Sequence, residues 1–583
     1  MLGRSLNRLL VTLHSYLPSF AKRLIRKIMR PIRWFFTSGI KLENGLISFD
    51  HNKPILLLVS HEDSRTTATI IFLNLAIKLN HDYNIVFLLL YRGFNKSIKN
   101  DFLKHASFLI GPIGTVLEAP MVNHHLQKLL KLFNFHFSII NSVESHLVLH
   151  SLTHHDIPTV TLIHEFASNT KLRKKFNDVI VNSTTILFGA SIFKENFSEE
   201  FPKYKNHYPI LPQGYSLVPT VMDYNAKEIE KIGIASISLM DQEKKDALTI
   251  LESGLCRKDY YIPHQPNISM PEAVRQYIRM SKYGTIPRKL FPGFHPGIFK
   301  EKYPYYKSGS DALAQYLLAD QPSGIWKTHV ITENTDIYFI APSIKIALHL
   351  HIYYIDLILT ILSRLNQNKV RPDLFISVPS SLVFDKVQKI FSEKYNGKVI
   401  DIVIVPNKGR DIGPFFTAFS GRLTIDYDII GHIHTKKTEH FHNKILGHEW
   451  FYFLLENLIG GISNMADRCI GLMANDQTIG LVFPDDPHVI SWDTNWDQAE
   501  ALRKKMSLNS LSKNICFPIG NMFWARTKAL LPIFDLNFQW DDYPDEPLPI
   551  DGTLLHAIER IIPKVVMHQG YRYVVTNVKS VNR

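Results

Sequence analysis

The chain has 583 residues, of which 45% are hydrophobic and 20% charged, and its formal net charge is +13. This length exceeds what one hydrophobic core supports, so we expect two or three domains, and the absence of repeats and low-complexity tracts argues against solenoids and disordered scaffolds. Three cysteines without metal-site spacing argue against a disulfide framework and are typical of a reducing compartment. No apolar run reaches the roughly 18 residues that a membrane span needs.

The positive charge is concentrated at the amino terminus. Residues 1–42 carry nine lysines and arginines and no acidic residue, which leaves 57 basic against 53 acidic residues elsewhere. A nucleic-acid-binding face is therefore not expected. Leucines and isoleucines recur at helical spacing among these basic residues, and Trp34, Phe35 and Phe36 follow. The pattern predicts that residues 1–45 lie on an anionic membrane surface, the alternative being a helix docked on the protein's own core.

An alternation of strands and helices begins near residue 50. The runs PILLLVS, NIVFLLLY, FSIINSV, TVTLIHEF and DVIVNS predict strands, with helical segments between them. This alternation predicts a doubly wound parallel sheet over residues 50–220. Ligands of such sheets bind beyond the carboxyl ends of the strands, and Glu62, His164 and Glu165 follow two of these strands.

The segments LLVSHEDSRTTATIIFLNLAIKL and LIHEFAS resemble the amino-terminal domain of family 4-like glycosyltransferases, which have two Rossmann-like halves and are called GT-B. Thr66 and Thr67 stand where that family often has a glycine. No second Rossmann-like repeat follows, so the resemblance implies half of a GT-B fold. It also implies that the three polar residues named above lie on the acceptor side, in an acceptor-binding or scaffolding domain rather than an independent catalyst.

Residues 221–335 have a less regular pattern. The stretch IPRKLFPGFHPGIFKEKYPYY is rich in proline, glycine and aromatic residues, which predicts extended backbone. The stretch DALAQYLLADQPSGIW predicts a short helix and a turn. We expect an irregular linker region that packs on its neighbours, and we interpret His295 as structural in preference to a substrate contact.

A second alternating series occupies residues 336–583. Strands are predicted at IKIALHLHIYY, PDLFISVPS, KVIDIVIVPN and YDIIGHIHTKK. Helices are predicted at DLILTILSRL, VFDKVQKIFSEKY and PFFTAFSGRL, and a long one from Glu449 to about Met473. The pattern predicts a mixed α/β domain, so that the chain as a whole is of the α/β class.

Five motifs in this series resemble the rhamnan synthesis protein F family: VPNKGRDIGPFF, HIHTKKT, IGLVFP, GNMFWAR and DGTLLHAIER, in the family's order. The resemblance implies a fold related to the GT-A nucleotide-sugar transferases. It implies transfer of a sugar, often L-rhamnose, from a donor such as dTDP-rhamnose onto a polysaccharide such as O-antigen. With the basic amino terminus, it places the protein in the cytoplasm on the inner face of the membrane, with a lipid-linked saccharide as acceptor.

A scaffold is the alternative function. The absent half of the GT-B fold favours a non-catalytic component of a polysaccharide assembly complex, which docks other transferases. The polar motifs of the second series argue against it, because a scaffold does not need them.

The donor side is predicted where the strand KVIDIVIVPN ends. The donor-binding candidates are Asn407, Gly409, Arg410, Asp411, His434, Thr435 and Arg526. Lys436 and Lys437 are candidate catalytic residues, because an ammonium group can replace a metal as the positive charge on a diphosphate. We therefore expect a metal-independent site with no certain cofactor, the alternatives being two solvated lysines or a divalent metal on His432 and His434. The literal DxD of Asp426 and Asp428 precedes its strand and is interpreted as a turn.

Asp551 is the candidate base. An inverting transfer needs a carboxylate that takes the acceptor's proton, and Asp551 precedes a predicted helix. The alternative is that Asp551 only caps that helix. Trp524 and His556 are assigned to the acceptor side, with a core position as the alternative for Trp524.

Overall fold

The computed structural model describes residues 41–93, 97–114, 117–201, 209–210, 226–263, 265, 267–282, 288–435, 444–549, 551–579 and 581–583. Two compact units divide the chain: unit 1 comprises Met1–Lys245 and Lys282–Thr285, and unit 2 comprises Asp246–Ser281 and Ile286–Arg583. The predicted membrane-surface helix and both candidate lysines, Lys436 and Lys437, lie outside the described residues.

Unit 1 is built on a seven-stranded sheet. Its strands are β1 (Leu42–Asn44), β2 (Ile55–Glu62), β3 (Asn84–Tyr91), β4 (Phe108–Ile110), β5 (Phe135–Asn141), β6 (Thr159–Ile163) and β7 (Thr185–Phe188). The order is β1-β4-β3-β2-β5-β6-β7, and only β1 pairs antiparallel. Without that edge strand the order is the 3-2-1-4-5-6 of a doubly wound Rossmann sheet, which reverses between β2 and β5.

Helices lie between these strands. They are α1 (Thr67–Leu79), α2 (Lys99–Lys104), α3 (Ala119–Leu132), α4 (Leu149–His154), α5 (Arg173–Asn182), α6 (Ser191–Glu200) and α7 (Ala226–Glu252), the last of which contains the boundary between the units. The predicted strand DVIVNS is wrong, because it lies largely in α5. Phe176, Val179 and Ile180 are buried at helical spacing, and a short apolar run does not by itself distinguish the two periods.

The region predicted as irregular, residues 221–335, is largely helical in its described part. Beyond α7 it contains α8 (Lys258–Tyr261), α9 (Met270–Lys282), α10 (Pro296–Lys302) and α11 (Ala312–Leu318). The Pro-rich stretch that motivated the prediction contains the start of α10. His295 caps that helix, since its Nδ1 accepts a hydrogen bond from the Ile298 amide at 3.1 Å. Burial lowers the pKa of His295 to about 3, which fits the structural interpretation.

Unit 2, predicted as a mixed α/β domain, is built on an eight-stranded mixed sheet. Its strands are β8 (Val330–Ile331), β9 (Ile346–His351), β10 (Asp373–Val378), β11 (Val399–Ile404), β12 (Ile429–His434), β13 (Ile479–Pro484), β14 (Phe523–Arg526) and β15 (Arg572–Thr576). The order is β11-β10-β9-β12-β14-β13-β15-β8, and β14 runs antiparallel to both of its neighbours. The order reverses between β9 and β12, so the carboxyl ends of β9 to β12 form the edge where ligands of such sheets bind.

Helices pack on both faces of this sheet over two apolar clusters. They are α12 (Ile358–Gln367), α13 (Ser381–Lys394), α14 (Ser420–Asp426), α15 (Lys444–Leu458), α16 (Met465–Asn475), α17 (Trp496–Lys505), α18 (Thr527–Phe534) and α19 (Leu554–His568). The single helix predicted from Glu449 to Met473 is thus two. Gly460 separates them with φ of 98°, and a Cβ there would overlap the Ser463 carbonyl.

The α/β prediction is confirmed for both units. No helix in the described ranges is long and apolar enough to cross a membrane.

The ion pair of Arg364 and Glu456 offers a test of packing in unit 2. Their Nη2 and Oε1 atoms lie 2.7 Å apart, and the side chains are only 8% and 4% exposed. Because Arg364→Met leaves a buried carboxylate unpaired, we expect it to lower the free energy of unfolding by about 3–5 kcal/mol. Six of the seven tryptophans belong to unit 2, so tryptophan fluorescence during urea unfolding measures this unit.

Two variants control this measurement. Adding Glu456→Gln to Arg364→Met removes the unpaired charge and should recover part of the loss. Arg422→Met breaks a more exposed pair with Asp401 and should cost no more than about 1 kcal/mol. Equal losses of unfolding free energy in Arg364→Met and Arg422→Met would contradict the assignment of Arg364 and Glu456 as a buried, stabilising ion pair.

Candidate functional site

Asp411 lies in the loop after β11, where three segments of unit 2 meet. Its Oδ2 accepts a hydrogen bond from Asn521 Nδ2 at 2.6 Å and lies 3.3 Å from His432 Nε2 and 3.7 Å from His434 Nε2. His432 and His434 lie at the carboxyl end of β12, and Asn521 precedes β14. The motifs VPNKGRDIGPFF, HIHTKKT and GNMFWAR therefore converge on one carboxylate.

Glycine makes this loop possible. Gly409 and Arg410 have φ angles of 74° and 49°, and a Cβ on Gly409 would lie 2.8 Å from the Gly413 Cα. The Gly413 amide donates to the Gly409 carbonyl at 2.8 Å, which closes the turn. The backbone conformation that only glycine adopts without strain thus directs Asp411 toward the end of the sheet.

The charge on Asp411 is stabilised by its surroundings. Burial alone raises the pKa of this carboxyl, but His434, His432 and Asn521 together hold it well below its ordinary value. Asp411 is accordingly an anion at neutral pH, with Asn521 and His432 as its hydrogen-bond donors and His434 close by.

A row of polar side chains extends from Asp411 across three strands, and sequence analysis missed most of it. His432 Nδ1 lies 3.0 Å from His349 Nδ1, and Ser377 Oγ lies 2.9 Å from both His349 Nε2 and His351 Nδ1. His349 pairs with His432 in the β9–β12 register, and His351 with His434. A signal was present, because IALHLH and IIGHIH place two histidines at the same spacing.

Phe415 covers this row on one side. Its ring centroid lies 4.6 Å from that of His432 and 5.6 Å from that of His349, and both pairs are stacked. His349, His432 and Ser377 are fully buried. The motif VPNKGRDIGPFF thus supplies both the anion at one end of the row and the ring that excludes water from it.

Asp551 is held on both oxygens. Its Oδ1 accepts a hydrogen bond from Asn495 Nδ2 at 2.8 Å and lies 3.2 Å from Arg560 Nη2, while Oδ2 accepts from Thr494 Oγ1 at 3.1 Å. Burial raises its pKa, but Asn495 and Arg560 outweigh burial and lower it. The capping alternative is wrong, because the residue at the N-cap of α19 is Thr553. Two engaged oxygens are unfavourable for a base, because a base needs a lone pair within reach of the acceptor hydroxyl.

The start of α19 reaches the Asp411 site through His556 and Glu559. Burial lowers the pKa of His556, and Asp551, Arg410 and Asp411 all act on that ring. Glu559 Oε1 accepts a hydrogen bond from the Gly520 amide at 2.7 Å. The motif DGTLLHAIER therefore contacts the motif GNMFWAR at Gly520, next to the Asp411 site.

Arg526 and Trp524 do not lie in this site. Because β14 is antiparallel, Arg526 pairs with Ile429 at the opposite edge of the sheet, and its Nη2 donates to the Met473 carbonyl at 2.7 Å. Trp524 is fully buried, and its Nε1 donates to the Leu458 carbonyl at 3.0 Å. Neither the diphosphate role of Arg526 nor the acceptor contact of Trp524 fits these positions, and Trp524 is a core residue.

The remaining donor-side candidates lie at the carboxyl edge. Asn407 and Arg410 are exposed, and Arg410 Nε donates to Glu546 Oε1 at 3.2 Å. His434 Nε2 donates to the Gly520 carbonyl at 2.9 Å. The buried Thr435 accepts hydrogen bonds at Oγ1 from the amides of residues 353 and 354, at 2.8 and 3.0 Å, and so fixes the segment after β9.

The DxD residue Asp428 and the histidine pair considered for a metal have defined surroundings. Asp428 lies directly before β12, at the opposite end of that strand from His434, and its Oδ2 accepts a hydrogen bond from the Lys345 amide at 2.9 Å. In the part of the chain that the structure describes, no group of three or more His, Cys, Asp and Glu side chains could hold a metal ion. The two ring nitrogens of His432 face Asp411 and His349.

Unit 1 has its own polar edge beyond β2, β5 and β6. Glu62 Oε1 lies 3.3 Å from His61 Nε2, and the hydrogen bond with His61 is the main cause of its lowered pKa. Glu165 accepts hydrogen bonds from the Ser142 hydroxyl and, at 3.0 Å, from the His164 amide. Burial lowers the pKa of His164. The acceptor-side role of these residues stays a prediction.

The carboxylate of Asp411 should make stability depend on pH. Its folded pKa lies below the unfolded value of about 3.9, so its contribution is present above that value and is lost as pH falls through the folded pKa. We expect Asp411→Asn to lower the free energy of unfolding by about 1–3 kcal/mol, constantly from pH 8 to pH 5 and less below about pH 4. Urea unfolding followed by tryptophan fluorescence checks this.

Asp545→Asn is the matched control. Asp545 is exposed and lies 3.1 Å from Lys408 Nζ in the same loop region, so its loss should be small at every pH. A difference between wild type and Asp411→Asn that grows on acidification would contradict the assigned sign.

Comparison with known proteins places the Asp411 site within a described family region. Residues 316–571 match the family model "Rhamnan synthesis protein F". Two curated relatives are the uncharacterized proteins WxcX of Xanthomonas campestris pv. campestris, from strains B100 and ATCC 33913. Each is 29% identical over 226 residues, which are 38% of this chain and 31% of the relative. The chain thus matches about a third of the length of these relatives.

Two solved structures show weak likeness. Sucrose-phosphate synthase from Thermosynechococcus elongatus is 12% identical and covers 31% of this chain and 97% of its own, with a TM-score of 0.22. A putative UDP-N-acetylglucosamine 2-epimerase from Listeria monocytogenes is 8% identical and covers 60% and 69%, also with a TM-score of 0.22. Such low scores carry no argument. For residues 316–571, the family match confirms the resemblance to rhamnan synthesis protein F that the five motifs predict.

Proposed function

We propose that the chain is a glycosyltransferase of bacterial cell-surface polysaccharide biosynthesis. It transfers a sugar, L-rhamnose in the simplest case, from a nucleotide sugar such as dTDP-rhamnose to a lipid-linked saccharide. One observation carries the proposal: motifs distant in sequence meet at the edge where such a sheet binds its ligands. Asn521 and His432 contact Asp411, and Glu559 contacts the neighbouring Gly520 amide. The family name printed for residues 316–571 supports it.

The donor nucleotide lies, in this proposal, beyond the carboxyl ends of β11 and β12. Asn407 and Arg410 are exposed there and offer donors to the base, ribose or phosphate. Lys436 and Lys437 follow β12 and supply positive charge to the leaving diphosphate, without a metal. Charged and fixed donors at that point stabilise the charge that develops as the bond to the diphosphate breaks.

The other parts of the proposal concern the acceptor and the membrane. Residues 1–45 hold the chain on the anionic inner face of the cytoplasmic membrane. The polar edge of unit 1, with Glu62, His164 and Glu165, contacts the lipid-linked saccharide. His556 takes the acceptor side in unit 2. Asp551 is the base predicted from sequence, and its two engaged oxygens count against it.

Nucleotide release from a panel of nucleotide sugars tests the activity. Purified chain, a lipid-linked saccharide and dTDP-rhamnose, with other nucleotide sugars in parallel, should release the nucleoside diphosphate and extend the saccharide. Full activity in EDTA is expected from the lysine model, and strict dependence on added Mn²⁺ or Mg²⁺ would end it. Saturation-transfer binding that detects no nucleotide sugar, together with no release, would favour the scaffold.

Arg410→Ala should weaken donor binding. Loss of a charged hydrogen bond to the donor costs about 1.5–3 kcal/mol, so we expect the KM for the nucleotide sugar to rise about tenfold or more. Arg422→Ala is the matched control, an arginine of unit 2 that pairs with Asp401 away from this edge, and its KM should not change. The same KM in both variants would refute the donor assignment.

A further inference from the structure

Five side chains form one continuous hydrogen-bonded row in unit 2. In order they are His351, Ser377, His349, His432 and Asp411, with successive contacts of 2.9, 2.9, 3.0 and 3.3 Å. The three central members are fully buried, whereas the side chain of Asp411 is 16% exposed and His351 is 8% exposed. The row therefore has a dry interior, and its two ends, at the carboxyl edge of the sheet, keep a small exposed fraction.

The charge of Asp411 fixes the direction of every hydrogen bond in the row. A carboxylate only accepts, so His432 donates from Nε2, and a neutral His432 then accepts at Nδ1 from His349. His349 consequently accepts at Nε2 from the Ser377 hydroxyl. Ser377 has one proton, so it accepts from His351 Nδ1, and the Nε2 of a neutral His351 carries a lone pair.

Burial supports the neutral form of His349 and His351 in this assignment. It lowers the pKa of His349 well below the ordinary histidine value and that of His351 to about 3. The other titratable and charged groups that act on these rings are His434 and Asp411.

We propose that His351 takes the proton of the acceptor hydroxyl and that Ser377 and His349 pass the charge to His432, beside Asp411. This proposal rests on the proposed sugar transfer. The acceptor oxygen forms the bond to the anomeric carbon, and the bond from that carbon to the diphosphate breaks with its electron pair on the diphosphate. His351 Nε2 gains the hydroxyl proton. One proton then moves from His351 Nδ1 to Ser377, one from Ser377 to His349 Nε2, and one from His349 Nδ1 to His432 Nδ1.

The endpoint of this relay is an ion pair. His432 becomes an imidazolium whose Nε2 lies 3.3 Å from the Asp411 carboxylate, and Asp411 itself stays ionised. A carboxylate that orients and stabilises an imidazolium without being protonated is the role of the aspartate in Ser-His-Asp triads. Asp411, whose lowered pKa keeps it ionised, is suited to this role. After product release the protons return along the same row to solvent at His351.

Ser377→Ala interrupts the relay and leaves both titratable ends, His351 and Asp411, in the chain. We expect kcat to fall by about 10²–10⁴-fold, the usual contribution of a positioned base, with the KM for the nucleotide sugar unchanged. A plot of wild-type rate against the deuterium fraction of the solvent should be curved, because several protons move, and that curvature should be lost in the variant. Ser138→Ala, which removes a buried strand hydroxyl that donates to the Pro158 carbonyl in unit 1, should change neither quantity.

His351→Ala gives a second, independent variant. Because the His351 end of the row is partly exposed, added imidazole should restore part of the lost turnover to His351→Ala and none to Ser377→Ala. Asp551→Asn should retain turnover if His351 is the base. Wild-type turnover in Ser377→Ala, or a straight solvent-deuterium plot in wild type, would overturn the relay.

Histidine NMR separates failure of the relay from failure of the proposed function. In the resting protein, nitrogen spectra of labelled histidines should show the proton on Nδ1 of His349 and His351 and on Nε2 of His432. If wild type transfers no sugar from any nucleotide donor, the proposed function fails. These spectra then still test whether the hydrogen bonds of the row run in the assigned directions. A proton on Nε2 of His349 would overturn the assignment whatever the activity.

Discussion

The account of unit 2 depends on the carboxylate of Asp411. That group accepts from Asn521 and lies beside His432 and His434, so it connects the loops after β11 and before β14 to the end of β12. The two histidines cost little to orient, because they belong to a central strand whose register is fixed on both sides. A charge that is buried at a sheet edge is tolerated only with such partners, and these partners are the functional motifs themselves.

The reversal of strand order between β9 and β12 explains why polar residues lie within an otherwise apolar sheet. At this point the connections on the two sides diverge and leave the carboxyl edge open. His349 and His351 on β9 face His432 and His434 on β12 in parallel register. Phe415, from the same loop as Asp411, covers the fully buried part of this row. Packing and polar chemistry are therefore specified by one stretch of twelve residues, VPNKGRDIGPFF.

Local pattern was sufficient for most strands, and for the edge at which the site lies. The apolar runs at β2, β3, β5, β6 and β9 to β12 predicted strands, and the motifs that follow them predicted the carboxyl edge at which the Asp411 site lies. That this edge binds the donor stays a prediction. The strand prediction for DVIVNS failed because a short apolar run fits either period. The helix α7 falls in a region that was predicted to be irregular from the Pro-rich stretch at residues 286–306. The direction of β14 depends on pairing across the sheet, so the local sequence could not predict that Arg526 lies at the opposite edge. The row through Ser377 likewise requires the register of β9 with β10, which no local pattern contains.

The central claim is that the carboxyl edge of β9, β11 and β12 holds the donor nucleotide. A crystal structure of the chain with a bound nucleoside diphosphate, dTDP in the first instance, tests it most directly. The account predicts electron density for the diphosphate beyond the ends of β11 and β12, with Arg410 in contact and His351 facing the open side of the site. A nucleotide bound at the opposite edge beside Arg526, or in unit 1 alone, would contradict it.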